Sequence, residues 1–324
     1  MDLVAAFGIG STNFRYAAAT TDGTVRVGPR VEPTRPTELA AQVTAAVTGL
    51  REETDRPVDG VSVTTPGLVD DDAGVVRSFD TPDGETIDRI ELGPRLESEL
   101  GLGLVLANDC NASALGEWHF GVRTDESCVV HLTVGTGIGG GVVEDGRLLR
   151  GESGQAGEFG LLPVAPDSGM GSCGVTGAWE AVCSGRGIPR YVSRRLAETD
   201  AETRLDPDAD LSAPDVFAAR DDPFVADCLD RIARYNAAGV GAVCNAVNPG
   251  LVTLGGGVAL NHGEWVREGI ESRLAEFCFV DPPAVRTTGL GDDVGLYGAL
   301  ATYRERATSR RAVSPPEPTE GTTD

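Results

Sequence analysis

One pattern, present twice, constrains this 324-residue chain more than any other feature. Leu3 to Phe7 is a short apolar run. It is followed by a glycine turn, Gly8-Ile9-Gly10-Ser11-Thr12, a second run from Asn13 to Thr20, and the hairpin signal Asp22-Gly23 before Val25 to Val31. About 125 residues later the order returns: Val129 to Val134, the turn Gly135-Thr136-Gly137-Ile138-Gly139-Gly140-Gly141, Val142-Val143, then Asp145-Gly146 before Arg147-Leu148-Leu149. Apolar runs separated by Asp-Gly turns read as antiparallel strands. The repeat predicts two related lobes, each offering a glycine turn whose successive N–H groups suit a phosphate. The chain is long enough for two such lobes with separate cores.

Between and after the repeats the pattern is mixed α/β. Leu39, Val43, Ala46, Val47 and Leu50 predict a helix over about 37–54, and Leu92, Leu96 and Leu100 mark another. Val61-Ser62-Val63 reads as a strand that ends in the loop Thr65-Pro66-Gly67, and Leu102 to Ala107 as a strand that delivers Asn108-Asp109 to the start of a helix over 111–120. Helices are expected at about 224–247, 263–277 and 295–307, with a strand from Leu251 to Leu254 entering Gly255-Gly256-Gly257. The segment from Ser314-Pro315-Pro316 to Asp324 has no apolar content and is expected to be disordered.

Charge narrows the chemistry. The net charge is −23, and all 27 basic residues are Arg. Without Lys there is no P-loop lysine, no Schiff base and no protein-kinase lysine. Bound phosphate must be held by backbone N–H groups, hydroxyls, Arg or a metal ion. An acidic, Lys-free surface predicts adaptation to high intracellular salt of the haloarchaeal type, and it argues against a nucleic-acid partner. No run of 18 apolar residues is present, so no membrane partner is expected. The opening MDLVAAFGIG lacks a signal-like pattern, which predicts a cytoplasmic protein. Seven scattered Cys and three His, without CxxC or HExxH, predict neither a disulfide framework nor a metal site.

Gly135 to Gly140 fits GxGxxG, but a hairpin rather than a helix follows, so a dinucleotide fold is disfavoured. Asp109 would serve there either as a helix N-cap or as a carboxylate that takes a proton from an attacking hydroxyl. Glu158 in GQAGEFG and Glu180 in TGAWEAV, each beside glycines, would be either surface acids or acceptors for sugar hydroxyls.

Taken together, GIGSTNFRYAAATTDG, TTPGLVDDDAG, ANDCNASALGEW, VGTGIGGGVVEDGRLLRGESGQAGEFG, CGVTGAWE, NPGLVTLGGG and LGDDVGLYGA resemble, in order, the segments of the ROK family (repressors, open reading frames, kinases). The resemblance implies the two-lobed, actin-like (ribonuclease H-like) α/β fold of sugar kinases. Residues 1–107 would form an N-terminal lobe completed by the helix at about 295–307, residues 108–294 a C-terminal lobe, and 308–324 an acidic tail. It also implies transfer of the ATP γ-phosphoryl group to a hexose, usually at O6, with Mg²⁺, by a homodimer or higher homo-oligomer. In that reading Asp109 is the catalytic base, and Gly67, Asn108, Glu158 and Glu180 join it around the sugar. Gly10-Ser11-Thr12 and Gly135-Thr136-Gly137 hold phosphates, and Gly255-Gly256-Gly257 lies at the adenosine. With no helix-turn-helix before residue 3, the repressor branch is not expected.

This chain departs from the family pattern in three places. Gly8 replaces an Asp that organises Mg²⁺; Leu161 replaces a His that contacts sugar and ligates zinc; Gly171 and Ala178 replace two zinc-binding Cys, leaving Cys173. No structural zinc is therefore expected at this loop. The alternative to an active kinase is a ROK-fold protein that senses sugar or nucleotide without turnover.

Overall fold

The structure is a computed structural model, and it describes residues 1–81, 85–121 and 124–313. Two five-stranded sheets carry the fold. In the first, β1 (Leu3–Ile9), β2 (Asn13–Thr20) and β3 (Val25–Pro33) form an antiparallel meander. β4 (Gly60–Thr65) and β8 (Leu104–Asn108) extend it in parallel, giving the order β3-β2-β1-β4-β8. In the second, β9 (Cys128–Val134), β10 (Ile138–Glu144) and β11 (Arg147–Leu148) form the meander. β14 (Leu251–Gly255) and β15 (Ala284–Thr287) add in parallel, giving β11-β10-β9-β14-β15. The two sheets thus share one topology, and the repeat read from the sequence is a repeat of structure.

Side-chain alternation explains how each sheet is covered. Along β1, Leu3, Ala5, Phe7 and Ile9 enter one core with Val43, Val47, Leu50 and Leu96. These last residues come from α1 (Leu39–Glu53) and α2 (Gly93–Leu100). Val4 and Ala6 point the other way, into a cluster with Leu296, Ala299 and Leu300 of α10 (Val294–Val313). β4 repeats this: Val61 and Val63 join the first core, whereas the buried Ser62 and Thr64 donate hydrogen bonds to the carbonyls of Ala299 (2.7 Å) and Gly295 (3.2 Å). Small or self-satisfied side chains on this face let α10 lie close.

The helices that close the two sheets are exchanged. α3 (Asp109–Phe120) follows the last strand of the first sheet but packs on β9 and β10 of the second, whereas α10 follows the second sheet and packs on β1 and β4 of the first. The pair cross at glycine: a Cβ on Gly116 would stand 2.7 Å from the backbone N of Gly298. The remaining helices, α4 (Trp179–Cys183), α5 (Gly187–Ala197), α6 (Ala213–Ala218), α7 (Pro223–Val247), α8 (Gly257–Asn261) and α9 (Gly263–Glu271), surround the second core. None of the described helices is long and apolar enough to cross a membrane.

Some expectations need correction. The three-stranded sheet of β5 (Leu68–Asp70), β6 (Val75–Asp80) and β7 (Thr86–Glu91) was not foreseen. The helix expected over 263–277 ends at Glu271, and only a 3₁₀ turn, Leu274–Glu276, follows. The strand expected from Leu102 to Ala107 runs from Leu104 to Asn108, where Asn108 pairs with Thr65 of β4. α10 runs to Val313, six residues into the expected tail, and 314–324 lie outside the described residues.

Candidate active site

Both glycine turns reach one cleft of about 850 Å³. Of the residues expected to bind nucleotide, Gly10, Ser11, Thr12, Gly135, Thr136, Gly256 and Gly257 line it, and so does Asp109. Each turn is braced from behind. Thr34 donates its hydroxyl to the Gly10 carbonyl at 2.7 Å and its N–H to the Thr12 carbonyl at 2.9 Å. The second turn closes on itself through Gly135 N–H to the Gly137 carbonyl at 3.0 Å, and Gly185 N–H donates to the Gly135 carbonyl at 2.7 Å. With their carbonyls so occupied, the turns are held in place before any ligand arrives.

Asp109 opens α3 at the edge of the cleft. The capping role falls to Asn108, whose Oδ1 accepts from the N–H groups of Cys110 (3.0 Å) and Asn111 (3.1 Å). Asp109 accepts one hydrogen bond from Cys110 N–H at 2.9 Å. Burial pushes its carboxyl above the ordinary Asp range, and that hydrogen bond only partly opposes the shift. Glu158 is raised as well, first by burial and then by the negative charges of Glu180 and Asp109. Three carboxyl groups therefore share one electrostatic neighbourhood, although Glu158 and Glu180 stand outside the lining of the cleft. Glu180 is tied down: Oε2 accepts from Ile138 N–H at 3.1 Å and Oε1 from the Ser172 hydroxyl. Gly137 makes room for it, since a Cβ there would lie 2.8 Å from Oε2.

Not every expected glycine lines this cleft. Gly67 adopts φ +93° and abuts the carbonyl of Arg77, 2.6 Å from where its Cβ would be, so it shapes the turn between β4 and β5 and does not line the cleft. Gly255 is buried at the end of β14, where a Cβ would come 2.9 Å from the His131 ring. Gly139 and Gly141 stand in β10 against Cys110, Asn111 and Ala114, so they serve the packing of α3.

Sequence reasoning missed several lining residues: Arg15, Arg186 and Arg190, and Leu211, Pro214, Val258 and Leu260, which provide an apolar wall near Asn261 and His262. Arg15 falls within the first family segment but carried no assigned role; the others lie outside the quoted segments, and only the four-residue spacing of Arg186, the N-cap of α5, and Arg190 could have suggested that pair.

Neither metal that the family pattern implies finds an obvious seat. Among the described residues no group of three or more His, Cys, Asp or Glu side chains could hold an ion. Near the end of β1 Gly8 offers no carboxylate to an ion. Cys173 is exposed at the turn between β12 (Gly171–Ser172) and β13 (Val175–Thr176).

The two-lobed fold, with phosphate-suited turns from both sheets meeting in one cleft, defines the actin-like sugar-kinase class. The family model described as "ROK family" matches residues 4–306, and the chain belongs to that family. A glucokinase of Halalkalibacterium halodurans is 31% identical, over 93% of this chain and 94% of the relative. Among solved structures, a ROK hexokinase from Thermus thermophilus superposes with a TM-score of 0.78 at 31% identity, covering 94% of this chain and 99% of the other. A ROK glucokinase from Streptomyces griseus, solved with glucose and AMPPNP, gives 0.75 at 30% identity, with coverage of 94% and 99%.

Proposed function

We propose that this chain transfers the γ-phosphoryl group of ATP to the O6 hydroxyl of glucose or a closely related hexose. That it is an ATP-dependent sugar kinase follows from its family and its relatives; the identity of the hexose and the position phosphorylated are the proposal. The observation that carries it is the placement of Asp109, an acid with a raised pKa, at the start of α3, on the same cleft as the glycine turns of both sheets.

In the reaction, the sugar hydroxyl oxygen attacks the γ-phosphorus, a new O–P bond forms, and the bond to ADP breaks. The hydroxyl proton passes to Asp109. The turns at Gly10-Ser11-Thr12 and Gly135-Thr136-Gly137 hold the phosphates, and Gly256-Gly257 flank the nucleoside. Asn108, Glu158 and Glu180, with the loop at Gly67, orient the sugar. Mg²⁺ that arrives on the ATP phosphates would supply charge neutralisation when bound.

The test is a hexose panel with ATP in molar KCl, the product examined by ³¹P and ¹³C NMR. A 6-phosphate of glucose as the preferred product is expected. A preferred product phosphorylated elsewhere, or formed only from amino sugars, would refute the glucose assignment.

A further inference from the structure

Three arginines line the cleft: Arg15, Arg186 and Arg190. Arg15 is neutralised by Asp293 at 2.9 Å, with Asp292 at 3.9 Å. Arg186 and Arg190 form no ion pair among the described residues, although the chain carries 50 acids to 27 arginines. The neighbouring arginines on the same helix do find acids: Arg194 pairs with Glu198 at 3.0 Å and Arg195 with Asp227 at 3.3 Å. Along this segment, then, the two arginines that border the cleft are the two without an acid partner; other described arginines also lack an ion pair, Arg26, Arg77 and Arg147 among them, but they do not line the cleft.

Their position is fixed by the fold. α5 buries Ile188, Tyr191 and Val192 in the second core, which leaves Arg186, Pro189 and Arg190, at helical spacing, along the cleft. Arg186 is fastened to the second glycine turn, because its N–H donates to the Thr136 carbonyl at 3.3 Å. Its Nη2 lies 3.5 Å from the carbonyl of Thr81, so the side chain reaches from the second sheet's turn to the end of β6.

We propose that Arg186 and Arg190 hold the anionic phosphate chain of the phosphoryl donor. The proposal rests on the kinase reading above and names the residues that neutralise the donor. A donor with several negative charges enters a molecule of net charge −23 that has no Lys and no carboxylate at Gly8 to seat a metal ion. Two unpaired guanidinium groups beside a phosphate-suited turn offset that repulsion, and each presents the forked donors that match phosphate oxygens. The shared chemistry is a phosphoanhydride chain, whether of ATP or of an inorganic polyphosphate.

The test uses the full chain in molar KCl and compares wild type with Arg186→Gln, Arg190→Gln and Arg26→Gln, the last removing one positive charge outside the cleft. ADP and inorganic tripolyphosphate binding are followed by calorimetry, and KM for ATP and for hexose by steady-state kinetics. Both cleft variants are expected to weaken ADP and tripolyphosphate binding and to raise KM for ATP by roughly tenfold or more, the usual scale for a charge-assisted contact, while KM for hexose stays within about twofold and Arg26→Gln behaves as wild type. Tripolyphosphate serving as a donor would identify polyphosphate as the source of the chain; binding without transfer would identify the nucleotide. ADP binding weakened with tripolyphosphate binding unchanged would place the arginines on the nucleoside and overturn the proposal. Wild-type turnover with both variants unaltered would overturn it alone and leave the kinase reading intact. A wild type that binds neither phosphate compound would remove both. Unchanged melting temperatures would show that these exposed substitutions leave the fold intact.

Discussion

Gly8 at the cleft end of β1 lies against Gly295 at the start of α10: a Cβ on Gly8 would stand 3.0 Å from the Gly295 carbonyl carbon and 3.0 Å from the Leu296 nitrogen. Along that face of β1 the side chains shrink from Val4 to Ala6 to Gly8, as the helix converges on the strand. Gly8 does not adopt a positive φ, so its backbone would admit any residue, and the constraint is the helix in front of it. The missing carboxylate is thus coupled to how closely α10 closes on the first sheet.

Gly8→Ala and Gly8→Asp should both destabilise the fold by about 1–3 kcal/mol, the cost of overpacking a tight contact. Thermal melts in molar KCl check this. A Gly8→Ala variant that melts with the wild type would show that the start of α10 yields freely, and Gly8→Asp would then be a fair test of whether a carboxylate there increases Mg²⁺ dependence.

Asp109→Asn should be more stable than wild type at neutral pH. A carboxyl group whose folded pKa is raised contributes stability that is present below its unfolded pKa and lost as pH rises through the folded value. At pH 7 its charged form is therefore a cost that Asn removes. The advantage should shrink as pH falls towards about 4, the unfolded Asp range. For the same reason the acid limb of kcat should lie above the ordinary Asp range. Melting curves against pH check the first statement; an Asp109→Asn variant less stable at pH 7 would contradict it.

The surface makes a third prediction. With 50 acids against 27 arginines, repulsion should dominate at low ionic strength, and the melting temperature should climb as KCl is raised towards about 1 M and beyond. Ion pairs such as Arg30–Glu53 at 2.6 Å and Arg231–Asp227 at 3.0 Å are exposed and offset little of this. Equal melting temperatures at low and molar salt would contradict the salt-adapted reading.

Much of the scaffold was legible because strands announce themselves by alternation and Asp-Gly turns. Adjacent segments that pair locally, such as β1 with β2 and β9 with β10, need no long-range information. β5 to β7 were not legible, because LVD, VVRSFD and TIDRIE are short, mix apolar with charged residues without sustained alternation, and bury only Val75, Val76, Phe79 and Ile90. Glycine was ambiguous for a physical reason. The sequence alone cannot tell a glycine in a turn that lines the cleft, such as Gly135, from one that admits a helix or a ring, such as Gly141 or Gly255. The roles of Asp109, Glu158 and Glu180 were carried by family resemblance, since isolated acids in so acidic a chain carry no signal of their own. Arg186 and Arg190 stood out only once the fold placed them on the cleft without acid partners, since their four-residue spacing says nothing of what they face.

The measurement that bears most directly on this account is hexose-dependent ADP release in molar KCl with Mg²⁺, for wild type and Asp109→Asn, with ADP binding followed in parallel. The account predicts clear wild-type turnover, a kcat lower by roughly 10²–10⁴ in the variant, as expected for loss of a general base, and ADP affinity nearly unchanged. Turnover undiminished in Asp109→Asn would remove Asp109 from the mechanism, and wild-type protein that binds hexose and ADP without turnover would show a sensor in place of a kinase.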